Sequence, residues 1–189
     1  MRAVVVGVDG FIGESLASYL SGRNFLVWGT TRRLGRVTDS RIGHLDLACG
    51  PWQLSAEKAD VGFICAAMTN IAECRRNPAQ ARAVNVVGAV SVAQAMIESD
   101  IKPVFLSTNA VFDCGEPLML ADRVKHPTTL YGQLKSEAED EILALSPDSI
   151  VVRLTKVFVS RPALFARWWQ ALMDGRTGWP MVDACVAML

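Results

Sequence analysis

The chain has 189 residues, enough for one domain with a sizeable core, and 51% of them are hydrophobic. Lys+Arg equals Asp+Glu at 19 each, which gives no electrostatic case for nucleic acid or an anionic membrane surface. No run of about 18 apolar residues offers a transmembrane helix. The five cysteines are scattered without a C-x-x-C pair, so they read as reduced cytosolic thiols and not as a zinc site. The chain opens on a strand pattern instead of a basic segment with a long apolar run, so no signal peptide is expected and a cytoplasmic location is.

Ala3 to Val6 is a short apolar, β-branched run that reads as a buried strand. It leads into Gly7, Gly10 and Gly13, spaced G-x-x-G-x-x-G, and then into ESLASYL, whose Leu16, Ala17 and Leu20 share a helical face. Strand, glycine turn and helix present backbone N–H groups and a positive helix end to a pyrophosphate. In such a turn Gly7 permits the tight bend, Gly10 admits the phosphates, and Gly13 lets helix and strand pack closely.

Asn24 to Gly29 reads as a second strand. NAD sites place an acid near the end of this strand to bind the ribose 2′-hydroxyl. Here the stretch is Gly29-Thr30-Thr31-Arg32-Arg33, with no acid. Two guanidiniums beside two hydroxyls suit a 2′-phosphate, which favours NADP over NAD. Arg41 to Leu47 reads as a third strand, with Asp46 placed either to meet an adenine edge or to serve as an N-cap. Ala59 to Ala67 reads as a fourth, ending in the small residues Ala66 and Ala67, where a cofactor could lie close to the backbone.

Pro78 to Ser99 reads as one long helix with a broad apolar face. Asn85 is the polar exception on that face: it either bonds a neighbouring loop or serves the site. Lys102 to Ser107 is a fifth strand running into Thr108, Val111 to Arg123 a loop, and Ser149 to Phe158 a sixth strand. Between them, Tyr131 and Lys135 sit four apart at the start of a helix and project from one face. Pro162 opens a further helix carrying Phe165, Trp168, Trp169 and Leu172, ending near Gly175. Strands alternating with helices imply an α/β fold with a doubly wound parallel sheet.

A Tyr beside an ammonium has its phenol pKa of about 10 lowered, and can exchange a proton with a carbonyl oxygen during hydride transfer. Thr108, at the carboxyl end of its strand, can polarise the same carbonyl. Ser107 is the alternative donor, turned away by strand alternation.

The stretches VVGVDGFIG, HLDL, ICAAMTN, AVNVVGA, FLSTNAVFD and YGQLKSEAE resemble the extended short-chain dehydrogenase/reductase family. Within it, STNAVFD and YGQLK are most similar to sugar-nucleotide reductases of the dTDP-4-dehydrorhamnose reductase type. The resemblance implies a Rossmann-like fold with helices on both faces and a catalytic set of Thr108, Tyr131 and Lys135. It also implies cofactor contacts from Gly7, Gly10, Phe11, Ile12, Gly13, Thr31, Arg32, Arg33, Asp46, Leu47, Ala66, Ala67, Asn85 and Lys135.

Residues 1–160 would form the NAD(P)-binding domain, and residues 161–189 the remnant of a largely absent C-terminal substrate lobe. Thr108-Asn109-Ala110 departs from the T-D-E of the family's dehydratases, which counts against water loss. The implied activity is NADP-dependent reduction of a nucleotide-linked keto-sugar, with a homodimer as the candidate assembly. Two alternatives stand beside it. One is a non-catalytic binding subunit, like the regulatory subunit of methionine adenosyltransferase. The other is an NAD-dependent sugar-nucleotide epimerase, disfavoured by Arg32 and Arg33.

Overall fold

A computed structural model describes residues 1–37, 40–50, 59–113, 120–155, 157, 170, 173 and 174. Six parallel strands form one sheet: β1 (Arg2–Val6), β2 (Leu26–Thr31), β3 (Ile42–His44), β4 (Val61–Ile64), β5 (Lys102–Thr108) and β6 (Ile150–Leu154). Their spatial order is β3-β2-β1-β4-β5-β6, so the order reverses between β1 and β4. Ligands of open parallel sheets bind beyond the carboxyl ends of strands at such a reversal.

Among the described residues, the sheet is covered by α1 (Phe11–Ser21), α2 (Ile71–Arg76), α3 (Pro78–Arg82), α4 (Ala89–Glu98) and α5 (Leu130–Leu145). The alternation along β1 divides the core. Ala3 and Val5 pack with Leu20 of α1 on one face. Val4 and Val6 pack on the other with Ile64, Phe105, and the apolar sides of α4 and α5, including Val92, Met96, Ala138 and Ile142. Each fully buried valine contributes roughly 1.5–3 kcal/mol, so a strand that is apolar on both faces anchors both layers.

Several element ends differ from the sequence reading. Asn24 has φ 63°, a left-handed turn conformation, so β2 starts after it at Leu26 and reaches Thr31. β3 stops at His44, because Asp46 Oδ1 accepts from Ala48 N at 2.9 Å and turns the chain. β4 spans only Val61–Ile64, because the Cys65 and Ala66 amides converge on the single carbonyl of Val6. α1 starts at Phe11, which puts Gly13 inside its first turn.

The long helix expected from Pro78 is continuous in course but not in winding: Ala83–Gly88 is a π-helical segment between α3 and α4. α2 was not legible from periodicity, although Asn70 caps it by accepting from Glu73 N at 3.0 Å. The helix placed at Pro162 to Gly175 and its tryptophans lie outside the described residues, apart from Gln170, Met173 and Asp174.

Candidate active site

The glycine loop follows β1 directly. Gly7 takes φ +83°, and a Cβ there would sit 2.8 Å from Ala66 Cβ, so the loop crosses the end of β4 with no room for a side chain. At Gly13 a Cβ would meet the Gly7 carbonyl oxygen at 2.1 Å, which is why helix and loop require glycine at that contact. Gly10 differs: a Cβ would touch only Gly7 O, at 3.2 Å, and otherwise face open space. Gly10 is the N-cap of α1 and offers no side chain to it. The amides of Phe11, Ile12 and Gly13, in the first turn, therefore have no partner within the helix. An open face at Gly10, backed by those amides and the positive end of α1, fits a pyrophosphate.

The rim of this cradle is β2. Gly7 N and Val8 N both donate to Thr30 O at 2.9 Å, and the Val8 side chain lies where a Cβ on Gly29 would be, 2.5 Å away. Thr31 is buried, and its hydroxyl accepts from Arg33 N at 3.1 Å, which fixes the turn carrying Arg32 and Arg33. Both arginine side chains stand outside the sheet, and Arg33 Nε lies 3.2 Å from Asp9 Oδ2.

Asp46, Leu47 and Asn85 each make a contact within the fold. Asp46 closes its own turn, and Leu47 is buried with its carbonyl against Gly88, where a Cβ would stand 2.1 Å from it. Ala66 and Ala67 line the strand end beside Gly7. Asn85, buried in the π-helical segment, uses both ends of its amide on Met68: Oδ1 accepts from Met68 N and Nδ2 donates to Met68 O, each at 2.9 Å. Of the two roles open to it, bracing the loop after β4 is the one its bonds serve.

β5 delivers Thr108 to the carboxyl edge of the sheet, and α5 delivers Tyr131. Thr129 caps α5 by accepting from Gly132 N at 3.1 Å. Gly132 then lets α5 approach β5's end: a Cβ would lie 2.1 Å from Ala110 O. Thr108 Oγ1 accepts from Ala110 N at 3.2 Å, and its hydroxyl favours the ionised form of the Tyr131 phenol. Ser107 is buried, and its hydroxyl has no partner.

The expected activation of Tyr131 by Lys135 is not what the geometry gives. Burial pushes the Tyr131 phenol up to about 12, and the Cys74 thiol adds to the rise; only the Thr108 hydroxyl opposes it. Lys135 lies on the same side of α5 but is turned into the protein. Its Nζ donates to Leu106 O at 2.7 Å and sits 3.6 Å from the centre of the Phe105 ring. Burial pulls its amine down to about 7, although Glu139 and Cys65 act the other way. The phenol is thus held protonated at neutral pH.

Three features of the site escaped the sequence reading. Asp9, inside the glycine loop, meets Arg33. Cys74 is buried beneath the site, donating to Met68 O at 3.3 Å. Glu139, one turn after Lys135, is fully buried and takes a forked bond from Arg153, whose Nη2 is 2.8 Å away, with Lys125 Nζ at 3.4 Å. Its spacing from Lys135 was the available signal, since an acid four residues on falls on the same buried stripe. Among the described residues no group of three or more His, Cys, Asp or Glu side chains could hold a metal ion. Among them no helix is long and apolar enough to cross a membrane.

The family model described as RmlD substrate binding domain matches residues 1–184. The chain belongs to this family. The chain is similar to a dTDP-4-dehydrorhamnose reductase of Mycolicibacterium smegmatis, 31% identical over 160 residues, a match covering 83% of this chain and 46% of the relative. Methionine adenosyltransferase 2 subunit beta of Xenopus laevis is 24% identical over 157 residues, covering 83% and 47%. A dTDP-4-dehydrorhamnose reductase of Bacillus anthracis, solved in complex with NADP, superposes with a TM-score of 0.72 at 20% identity, covering 93% of this chain and 61% of that one. The chain spans about half the length of the curated relatives it matches. The parallel sheet of this chain, with its order reversing between β1 and β4, is the doubly wound sheet implied by the sequence.

Proposed function

We propose that the chain carries the cofactor-binding and catalytic half of an NADP-dependent reductase acting on a nucleotide-linked keto-sugar. The observation that carries this reading is the placing of Thr108 at the end of β5 and Tyr131 in the first turn of α5, on the same carboxyl edge of the sheet as a glycine cradle with an open face at Gly10. The likeness to dTDP-4-dehydrorhamnose reductases supports the substrate class, and Arg32 and Arg33 at the end of β2 support NADP.

The cofactor, when bound, supplies hydride to the sugar carbonyl. The first-turn amides of α1 would hold its pyrophosphate, and Ala66 and Ala67 would leave room for it beside β4. Thr108 orients the carbonyl oxygen through its hydroxyl. Tyr131 delivers the proton to that oxygen as it gains charge; a phenol held up to about 12 is loaded at neutral pH, as a donor in the reductive direction must be. Lys135 is the candidate for holding the nicotinamide ribose.

A second reading, a non-catalytic nucleotide-binding subunit, has two supports. One is the likeness to methionine adenosyltransferase 2 subunit beta, and the other is the Lys135 amine's bond to Leu106. Loss of NADPH absorbance with dTDP-4-dehydrorhamnose and related keto-sugar nucleotides decides between them. Turnover by the wild-type chain that falls at least a hundredfold in Tyr131→Phe, in line with the usual worth of general acid catalysis, supports the reductase. Equal inertness of the two, with NADPH still bound, would leave the binding subunit.

A further inference from the structure

The acid that NAD sites place at the end of β2 is missing from this chain, yet an acid stands at that place from another direction. The Gly7 and Val8 amides hold the glycine loop on Thr30 O, and Thr31 Oγ1 holds the Arg33 amide. Together these bonds bring Asp9, from within the loop, to Arg33, from the turn after β2. The contact at 3.2 Å is an ion pair and not an aligned hydrogen bond. Asp9 Oδ2 is shielded from water and accepts no hydrogen bond at all. A shielded carboxylate oxygen left without a donor is costly, and beside a dinucleotide cradle it is a vacant acceptor.

We propose that Asp9 sets the cofactor choice of this site: it competes with a 2′-phosphate for Arg33 and offers its shielded oxygen to a ribose 2′-hydroxyl. The inference rests on the dinucleotide reading above and deepens it. Arg33 is the group whose fork would take a 2′-phosphate. To do so it must leave Asp9, and the freed carboxylate then faces an anion. A ribose bearing a free 2′-hydroxyl meets no such opposition and supplies the hydrogen Asp9 lacks. The chain therefore binds both cofactors, and its preference for the phosphorylated one is blunted.

The Arg33 side chain is 58% exposed, so its pair with Asp9 is weak and competition for it is worth about fivefold in affinity. Titration of the full chain with NADPH and NADH, and with adenosine 2′,5′-bisphosphate and adenosine 5′-phosphate as probes lacking nicotinamide, tests this. Asp9→Asn should tighten NADPH and the bisphosphate by about fivefold and weaken NADH and the monophosphate. Asp9→Ser, a smaller neutral residue, should do the same; melting temperatures confirm that both variants fold. Unchanged NADPH and bisphosphate affinity in both folded variants overturns the role of Asp9 while leaving the cofactor reading intact. Failure of the wild-type chain to bind either dinucleotide overturns both.

Discussion

Lys135 makes the stability of this fold depend on pH in a direction opposite to that of a salt-bridged lysine. Its amine is pulled from 10.5 down to about 7 by burial, so between those values the unfolded chain binds a proton that the folded chain does not. Stability must then rise with pH across that window. At pH 8.5, about 1.5 units above the folded value, the rise relative to pH 6.5 is about 2 kcal/mol at roughly 1.36 kcal/mol per unit. The neighbouring shifts do not mask it. The Cys65 and Cys74 thiols and the Tyr131 phenol are raised from 9.0 and 10.0, so they lower stability only as pH climbs past those ordinary values. Urea unfolding at half-unit steps from pH 6.5 to 8.5 measures the slope directly, with Lys135→Met as the paired control because it fills the same space without a titrating group. The wild type should gain about 2 kcal/mol more than the variant across the range. Equal slopes would refute the idea that the amine is desolvated in the fold.

Asn85→Ala removes both bonds to Met68, stranding that residue's N–H in a half-buried loop and leaving its C=O only the Cys74 thiol, so a loss of roughly 1–3 kcal/mol is expected. Hydrogen exchange at Met68 should quicken with it; unchanged protection there would show that the loop is braced by something else. Glu139→Gln takes the charge from between Arg153 and Lys125 in a fully buried position. The expected cost is about 3 kcal/mol in denaturant unfolding, and a loss below about 0.5 would mean the pair is dispensable.

What could be read from the sequence was what short-range chemistry dictates. Gly7 and Gly13 mark the cradle because no other residue fits their backbone or their contacts, Gly10 because it leaves a face open, and β1 is legible because a strand buried on both faces must be apolar throughout. The places of Thr108 at the end of β5 and of Tyr131 in the first turn of α5 were legible from strand end and helix start. The remainder depends on contacts between distant segments. The π-helical turn that aims Asn85 at Met68 leaves no mark in periodicity, and α2 is too short to show one, though Asn70 and Glu73 have the spacing of a helix cap. The state of Tyr131 was misjudged for a physical reason: four-residue spacing brings Lys135 to the same side of the helix, but Leu106 O and the Phe105 ring hold its amine. Asp9 was passed over because an acid was sought at the end of β2, while the fold supplies one from the loop.

NADPH binding by Gly10→Val tests the central claim most directly. The added side chain meets only Gly7 O within the fold and otherwise projects into the open space a pyrophosphate would need. The account predicts a variant that melts within a few degrees of the wild type and no longer binds NADPH. Binding as tight as that of the wild-type chain would show that the dinucleotide does not lie in the glycine loop.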